Sequence, residues 1–203
     1  MKRENQIAVN LLILGLTVST LNLGMTWNNS SAIAQTKLTQ TKLTQAKLTN
    51  SAKLSINALG TVKVGMTVKE AAKAAGTSLI GLPGDQGSAC YYLQPKGNLQ
   101  KDVGFMITDG RIARIDIWSN KTNNITTLRG AKIGDSEKKI KSLYPGQIKV
   151  EPHNYVSGGH YLVFIPKDAG DKNYRLVFET DGKVVTRYRS GKLPEAEYVE
   201  GCS

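Results

Sequence analysis

Lys63-Val64-Gly65-Met66-Thr67 and Lys132-Ile133-Gly134-Asp135-Ser136 stand 69 residues apart and read as two copies of one motif. Each ends in a hydroxyl residue that can cap a helix. Thr67 is followed three residues later by Glu70, the spacing of a capping box. Val68, Ala71, Ala72 and Ala75 then fall on one apolar helix face, and Gly76 is a natural stop. In the second copy Ser136 is the cap, Ile140, Leu143 and Tyr144 form the face, and Pro145-Gly146 ends the helix.

Further matches run outward in the same order. Tyr92-Leu93 aligns with Tyr161-Leu162, and Thr108-Asp109-Gly110 with Thr180-Asp181-Gly182. Asp-Gly between alternating apolar residues signals a two-residue hairpin loop, because both positions of a type I′ turn need positive φ. Two hairpins are therefore predicted, with further strands near 90–94, 147–151, 160–165 and 196–200. A helix followed by a meander of strands, written twice, is an α+β arrangement with the helices on one face of an antiparallel sheet.

The run Val62-Lys63-Val64-Gly65-Met66-Thr67-Val68-Lys69-Glu70-Ala71 resembles the opening helix motif of small envelope lipoproteins of the SmpA/OmlA type. Its doubling is similar to the tandem unit of the β-lactamase-inhibitor-protein (BLIP-like) family. The resemblance covers most of residues 60–190. It implies an exported, non-catalytic protein that binds another protein through a sheet surface, with no cofactor. The chain lacks the lipidated cysteine of the first family, and its second copy reads Gly-Asp-Ser in place of Gly-Met-Thr.

The organisation expected from the sequence is a signal peptide at 1–34, a flexible spacer at 35–56, and a duplicated domain at 57–203. The repeats fall at about 60–119 and 129–190, with a C-terminal strand at 195–203. Lys2 and Arg3 precede an apolar stretch from Ile7 to Val18, and Ala32-Ile33-Ala34 is a small-x-small cleavage site. Residues 36–55 repeat a Lys-Leu pentad whose period of five matches neither helix nor strand, so they read as a basic spacer. No other apolar run is long enough to cross a bilayer, which excludes a polytopic membrane protein. The 203 residues carry 27 Lys and Arg against 16 Asp and Glu. Much of that excess sits in the leader and spacer, and the mild remainder argues against nucleic acid as partner. Cys90 and Cys202 are the only cysteines, and in an oxidising compartment they are expected to pair and fasten the C-terminal tail to the body. The protein should be periplasmic or secreted.

The hairpin register assigns faces. Counting from Asp109-Gly110, Phe105, Arg114, Asp116 and Trp118 share the side away from the helices; the second hairpin adds Arg175 and Tyr188. These six are the expected partner-binding residues, because Trp, Tyr and Arg concentrate binding energy at protein interfaces. The same count places Arg187 and Arg189 on the core side, which requires either a helix that stops short or a bulge that shifts the register. No motif for phosphate binding, zinc or a nucleophilic serine is present. Asp168, Asp171 and Asn173 cluster hard oxygens but lack the closing bidentate carboxylate of a calcium loop, so no metal is expected. The expected partner is an envelope or extracellular protein, with an anionic cell-wall polymer as the alternative, held by the basic surface and spacer.

Overall fold

The helix lead-ins organise the architecture. In a computed structural model the chain is described over residues 47–82 and 88–202; the expected signal peptide and the start of the expected spacer lie outside the described residues. Three short strands, β1 (Lys53–Leu54), β2 (Ala58–Leu59) and β3 (Val62–Lys63), lead into α1 (Val68–Ala75). Then come β4 (Leu79–Gly81), β5 (Cys90–Pro95), β6 (Val103–Thr108) and β7 (Arg111–Ile117). After β8 (Thr126–Thr127), α2 (Glu137–Leu143) is followed by β9 (Ile148–Pro152), β10 (His160–Phe164), β11 (Tyr174–Thr180) and β12 (Val185–Lys192). Single 3-10 turns lie at Ala169–Asp171 and Glu195–Glu197.

The fold is α+β. Strands β4-β5-β6-β7-β12-β11-β10-β9 form one eight-stranded antiparallel sheet, and β3-β2-β1-β8 form a small sheet in which β1 and β8 run parallel. The helix-then-four-strands order thus occurs twice, and the two sets meet where β7 pairs with β12. The helices form as the sequence reads. Thr67 and Glu70 close a reciprocal capping box, Gly76 ends α1 in the left-handed conformation, and the Ser136 hydroxyl accepts from Lys139 N at 3.2 Å.

Both lead-ins dock by the same pair of backbone hydrogen bonds. Gly65 N donates to Ile112 O and Ile112 N to Met66 O, at 2.8 and 2.9 Å; Gly134 N donates to Val185 O and Val185 N to Asp135 O, at 2.8 and 2.9 Å. Gly65 and Gly134 have φ of 89° and 90°, a backbone that a side chain resists. Immediately after Ile112 and after Val185 one extra residue is inserted, Ala113 and Thr186, and the sheet register shifts. A strand that turns its amide and carbonyl toward the lead-in re-enters the ladder one residue late.

Those two bulges invert the face assignment. Phe105 pairs with Ile115 rather than Arg114, and Glu179 pairs with Arg187 rather than Val184. Phe105 and Tyr188 therefore point into the helix-side core with Ile107, Ile115, Ile117, Leu162, Leu176 and Phe178. Arg187 and Arg189 move to the opposite face, so the bulge explains why arginines appeared on the core side. One core cluster contains residues of both halves, and within the second half Tyr144 of the α2 end meets Phe164 and Phe178 at ring-centroid distances of 5.0 and 5.8 Å. Burying each such side chain contributes about 1.5–3 kcal/mol.

Three further expectations change. Residues 47–56 are not spacer: Leu48 packs on the core, Ala52 and Leu54 are buried, and Leu54 sits in β1 between β2 and β8. Apolar leucines spaced too irregularly for one long element still fill separate pockets of a preformed core. The second hairpin is not type I′. Asp181 keeps negative φ and its Oδ1 accepts from Lys183 N and Val184 N, closing a four-residue loop. Finally, residues 195–202 form a 3-10 turn and an irregular tail instead of a strand.

Candidate functional site

Four of the six expected contact residues lie on the side of the large sheet away from the helices, but that side is covered. Arg114 and Asp116 are each only 4% exposed. The C-terminal segment crosses over them. Arg114 Nη1 donates to the carbonyls of Glu195 and Tyr198 at 3.0 and 2.7 Å, and its Nε pairs with Asp116 at 2.9 Å. Its remaining nitrogen donates to the Tyr92 hydroxyl at 2.5 Å. On the neighbouring strand Arg189 Nε donates to Ala196 O at 2.8 Å, and its Nη1 pairs with Glu179. Two buried guanidiniums thus hold three carbonyls of one turn of tail backbone.

The charged groups are paired within the layer. Glu179 receives Arg189, Arg187 at 2.6 Å and His153 Nε2 at 3.6 Å. Burial opposes the Arg114 charge, yet Asp116, Tyr92 and Glu179 together hold its guanidinium more firmly protonated than usual. Burial, together with the neighbouring Arg114, draws Arg189 the other way. Burial and the Asp116 carboxylate push the Tyr92 phenol far above its ordinary value, so it stays a neutral hydroxyl.

Trp118 folds back over Gly104, where a side chain would collide with its ring, and meets Tyr92 at a centroid distance of 5.4 Å. Arg175 is half-buried and its Nε lies 3.3 Å from Glu197. Tyr161, Val163 and Val177 form a second small apolar cluster on this face, covered by Val199 of the tail. The tail is closed at its far end by the Cys90–Cys202 disulfide, with the Cα atoms 5.3 Å apart. This pairing is as the sequence predicts, and it suggests an oxidising extracytoplasmic environment. Among the described residues no helix is long and apolar enough to cross a membrane.

What this side offers to solvent is made by loop and tail, not by strands. Tyr155, Tyr198, Val199, Glu200, Asn154 and the disulfide line an open cleft of about 490 Å³. Tyr155 and Tyr198 are 66% and 43% exposed, and Val156 beside them is also exposed. The loop is shaped by His153: its Nδ1 accepts from Tyr155 N and Val156 N at 3.1 and 3.2 Å, and its ring stacks on Tyr161 at 4.4 Å. An accepting Nδ1 leaves the ring proton on Nε2, facing Glu179. The Tyr155 hydroxyl donates to Glu200.

The register count missed Tyr155 and Tyr198 because neither lies on a strand. The legible signal was their setting: one tyrosine in the glycine-rich run Asn154-Tyr155-Val156-Ser157-Gly158-Gly159, the other in a tail that a disulfide fastens. A second, more apolar groove of about 500 Å³ lies on the helix side, between Leu54, Leu128, Tyr144, Phe164 and Leu176. The Asp168 loop uses its carboxylate internally, accepting from Gly170 N at 2.8 Å. Among the described residues no group of three or more His, Cys, Asp or Glu is placed to hold a metal.

Comparison with protein-family models, with curated proteins and with solved structures finds no match for this chain. The class of protein is therefore set by architecture alone: an α+β chain with one face of a large antiparallel sheet under its helices and the other under a disulfide-closed tail.

Proposed function

We propose that this chain is an exported, non-catalytic protein-binding module, of the tandem BLIP-like or SmpA/OmlA-like kind, whose contact surface is the Tyr155/Tyr198 cleft. The observation that carries the reading is the gathering of two exposed tyrosines on one cleft beside the disulfide. Tyrosine binds proteins well because it buries a large ring with few rotamers and keeps a hydroxyl for hydrogen bonding. The helix-then-four-strands order found in both halves, and the identical docking of both lead-ins, support the duplication. The N-terminal charge, apolar run and Ala-Ile-Ala site support export.

The test uses the full chain immobilised against extract of its native envelope. One defined protein should be retained and should be lost with Tyr155→Ala or Tyr198→Ala while the melting temperature holds. Retention that survives both substitutions rules out the cleft.

The second reading, attachment to an anionic envelope polymer, has its own support. Lys138, Lys139 and Lys141 of α2, with Lys132 and Lys183 nearby in the second half, are exposed. Binding of that kind weakens steeply as salt rises, whereas capture through the tyrosines is far less sensitive.

A further inference from the structure

The large sheet ends at β9, whose outer edge pairs with no strand among the described residues. The register shows which backbone groups that edge offers. Ile165 N donates to Gln147 O and His153 N to Gly159 O, both at 2.9 Å, and the pairing of β9 with β10 runs without a slip between them. Successive residues of a strand point their amides to opposite edges, so 147, 149, 151 and 153 face β10 while Ile148, Val150 and Pro152 face outward. Ile148 and Val150 each present an N–H and a carbonyl there, and Pro152 a carbonyl alone. Val150, at the middle of this edge, is 43% exposed.

Edge strands ordinarily repel incoming strands with a lysine or a proline. In β9 the lysine has an acidic neighbour that cancels it. Lys149 and Glu151 flank Val150 on the tail side of the sheet, beside Val163 and Tyr161, and pair with each other at 2.6 Å. Opposite charges placed symmetrically about one residue make the strand complementary to itself. When a second copy lies antiparallel with Val150 facing Val150, Lys149 of each copy stands opposite Glu151 of the other. Each Val150 N–H then meets the other Val150 carbonyl, and each Ile148 N–H meets the other Pro152 carbonyl. Sliding the pairing by two residues sets Lys149 against Lys149 or Glu151 against Glu151, which is repulsive. Sliding it by one turns the donors of one copy away from the acceptors of the other.

Independently of the binding role proposed above, we infer that β9 is the contact of a two-fold symmetric dimer, in which the large sheets of two copies join edge to edge through antiparallel β9 strands centred on Val150. The symmetry axis stands perpendicular to the sheet between the two valines. Both tails, each with its tyrosine cleft, therefore lie on the same side of the joined sheet.

The test follows the mass of the full, oxidised chain by sedimentation equilibrium from about 1 µM to about 1 mM. The wild type should pass from monomer to dimer within that range. Lys149→Glu makes positions 149 and 151 both acidic, and Glu151→Lys makes both basic, so each variant alone should dimerise about tenfold more weakly. An equimolar mixture of the two should recover the wild-type affinity as a heterodimer, because every contact between 149 and 151 is again of opposite sign. The two side chains are 62% and 41% exposed, so each variant should keep the wild-type melting temperature. Val150→Pro removes the central outward N–H without touching the ladder to β10, and should stay monomeric. A wild type that remains monomeric throughout overturns the inference. A dimer that survives all three substitutions also overturns it, since such a dimer uses another surface. The centring on Val150 fails if the mixed charge variants associate no better than either alone.

Discussion

Arg114 Nη1 lies 2.7 Å from the carbonyl oxygen of Tyr198, a partly buried bond between residues 84 apart in the chain. It joins the middle of β7 to the last turn before the tail. The same guanidinium serves Asp116, Glu195 and Tyr92. A five-donor fork is the only side chain that can satisfy so many acceptors from one position.

Arg114→Ala is expected to cost about 3–5 kcal/mol, because it leaves Asp116 buried without its cation and two tail carbonyls without a donor. Arg114→Lys should recover only part of that loss, since an ammonium cannot reach all four partners. Urea unfolding of both variants checks this; a loss below about 1 kcal/mol for the alanine variant would show that the tail is held by other means.

Reduction should loosen the far end of the tail and leave its near end in place. The disulfide closes a separation of 112 residues, worth about 4–5 kcal/mol in the chain-entropy model. Residues 195–198 keep their bonds to Arg114 and Arg189, whereas 200–202 lose their anchor. Hydrogen exchange before and after a thiol reductant should show faster exchange confined to the last residues. Uniform acceleration across β7 and β12 would contradict the division.

Gly191→Ala tests the first bulge. A Cβ at this position would approach the Ala113 carbonyl to 2.6 Å and the Arg114 Cα to 2.8 Å, both main-chain atoms that cannot swing aside. Overpacking of this kind costs about 1–3 kcal/mol and should also disturb Arg114. At Gly104 the obstacle is the Trp118 ring, a side chain that can rotate away. Gly104→Ala should therefore be milder in thermal unfolding but should shift the tryptophan fluorescence.

Asp102 sets an acid limit. Its buried carboxylate accepts from Thr122 N at 3.1 Å, from Asn123 Nδ2 at 2.8 Å and from the Thr122 hydroxyl. Burial works against the charged form, but these donors hold the carboxyl below its ordinary value of 3.8. A depressed carboxyl stabilises the fold above its unfolded value, and that contribution declines as pH falls below about 4 toward the folded value. Asp102→Asn should flatten the acid limb of the stability curve and cost about 1–3 kcal/mol at neutral pH.

Ser190 has the opposite character. It is fully buried on the helix side of β12, and its hydroxyl finds no partner among the described residues. Ser190→Ala removes a desolvated donor at no loss of contact, so denaturant unfolding should show unchanged stability or a gain of about 1 kcal/mol.

The sequence by itself determined the local elements. The capping box at Thr67, the glycine stop at Gly76, the Asp109-Gly110 turn and the pairing of the two cysteines depend on neighbours a few residues away, or on there being only two thiols. The tertiary structure alone decided which faces are buried. Ile112 and Val185 bond to the helix lead-ins, the ladder slips at Ala113 and Thr186, and every residue beyond changes side. A period of two carries no record of such a slip, because the hydrogen bonds that cause it come from residues more than 40 positions away. The cover over Arg114 and Asp116 was hidden for the same reason: two arginines on β7 and β12 attract the backbone of a tail that is irregular and carries no period of its own.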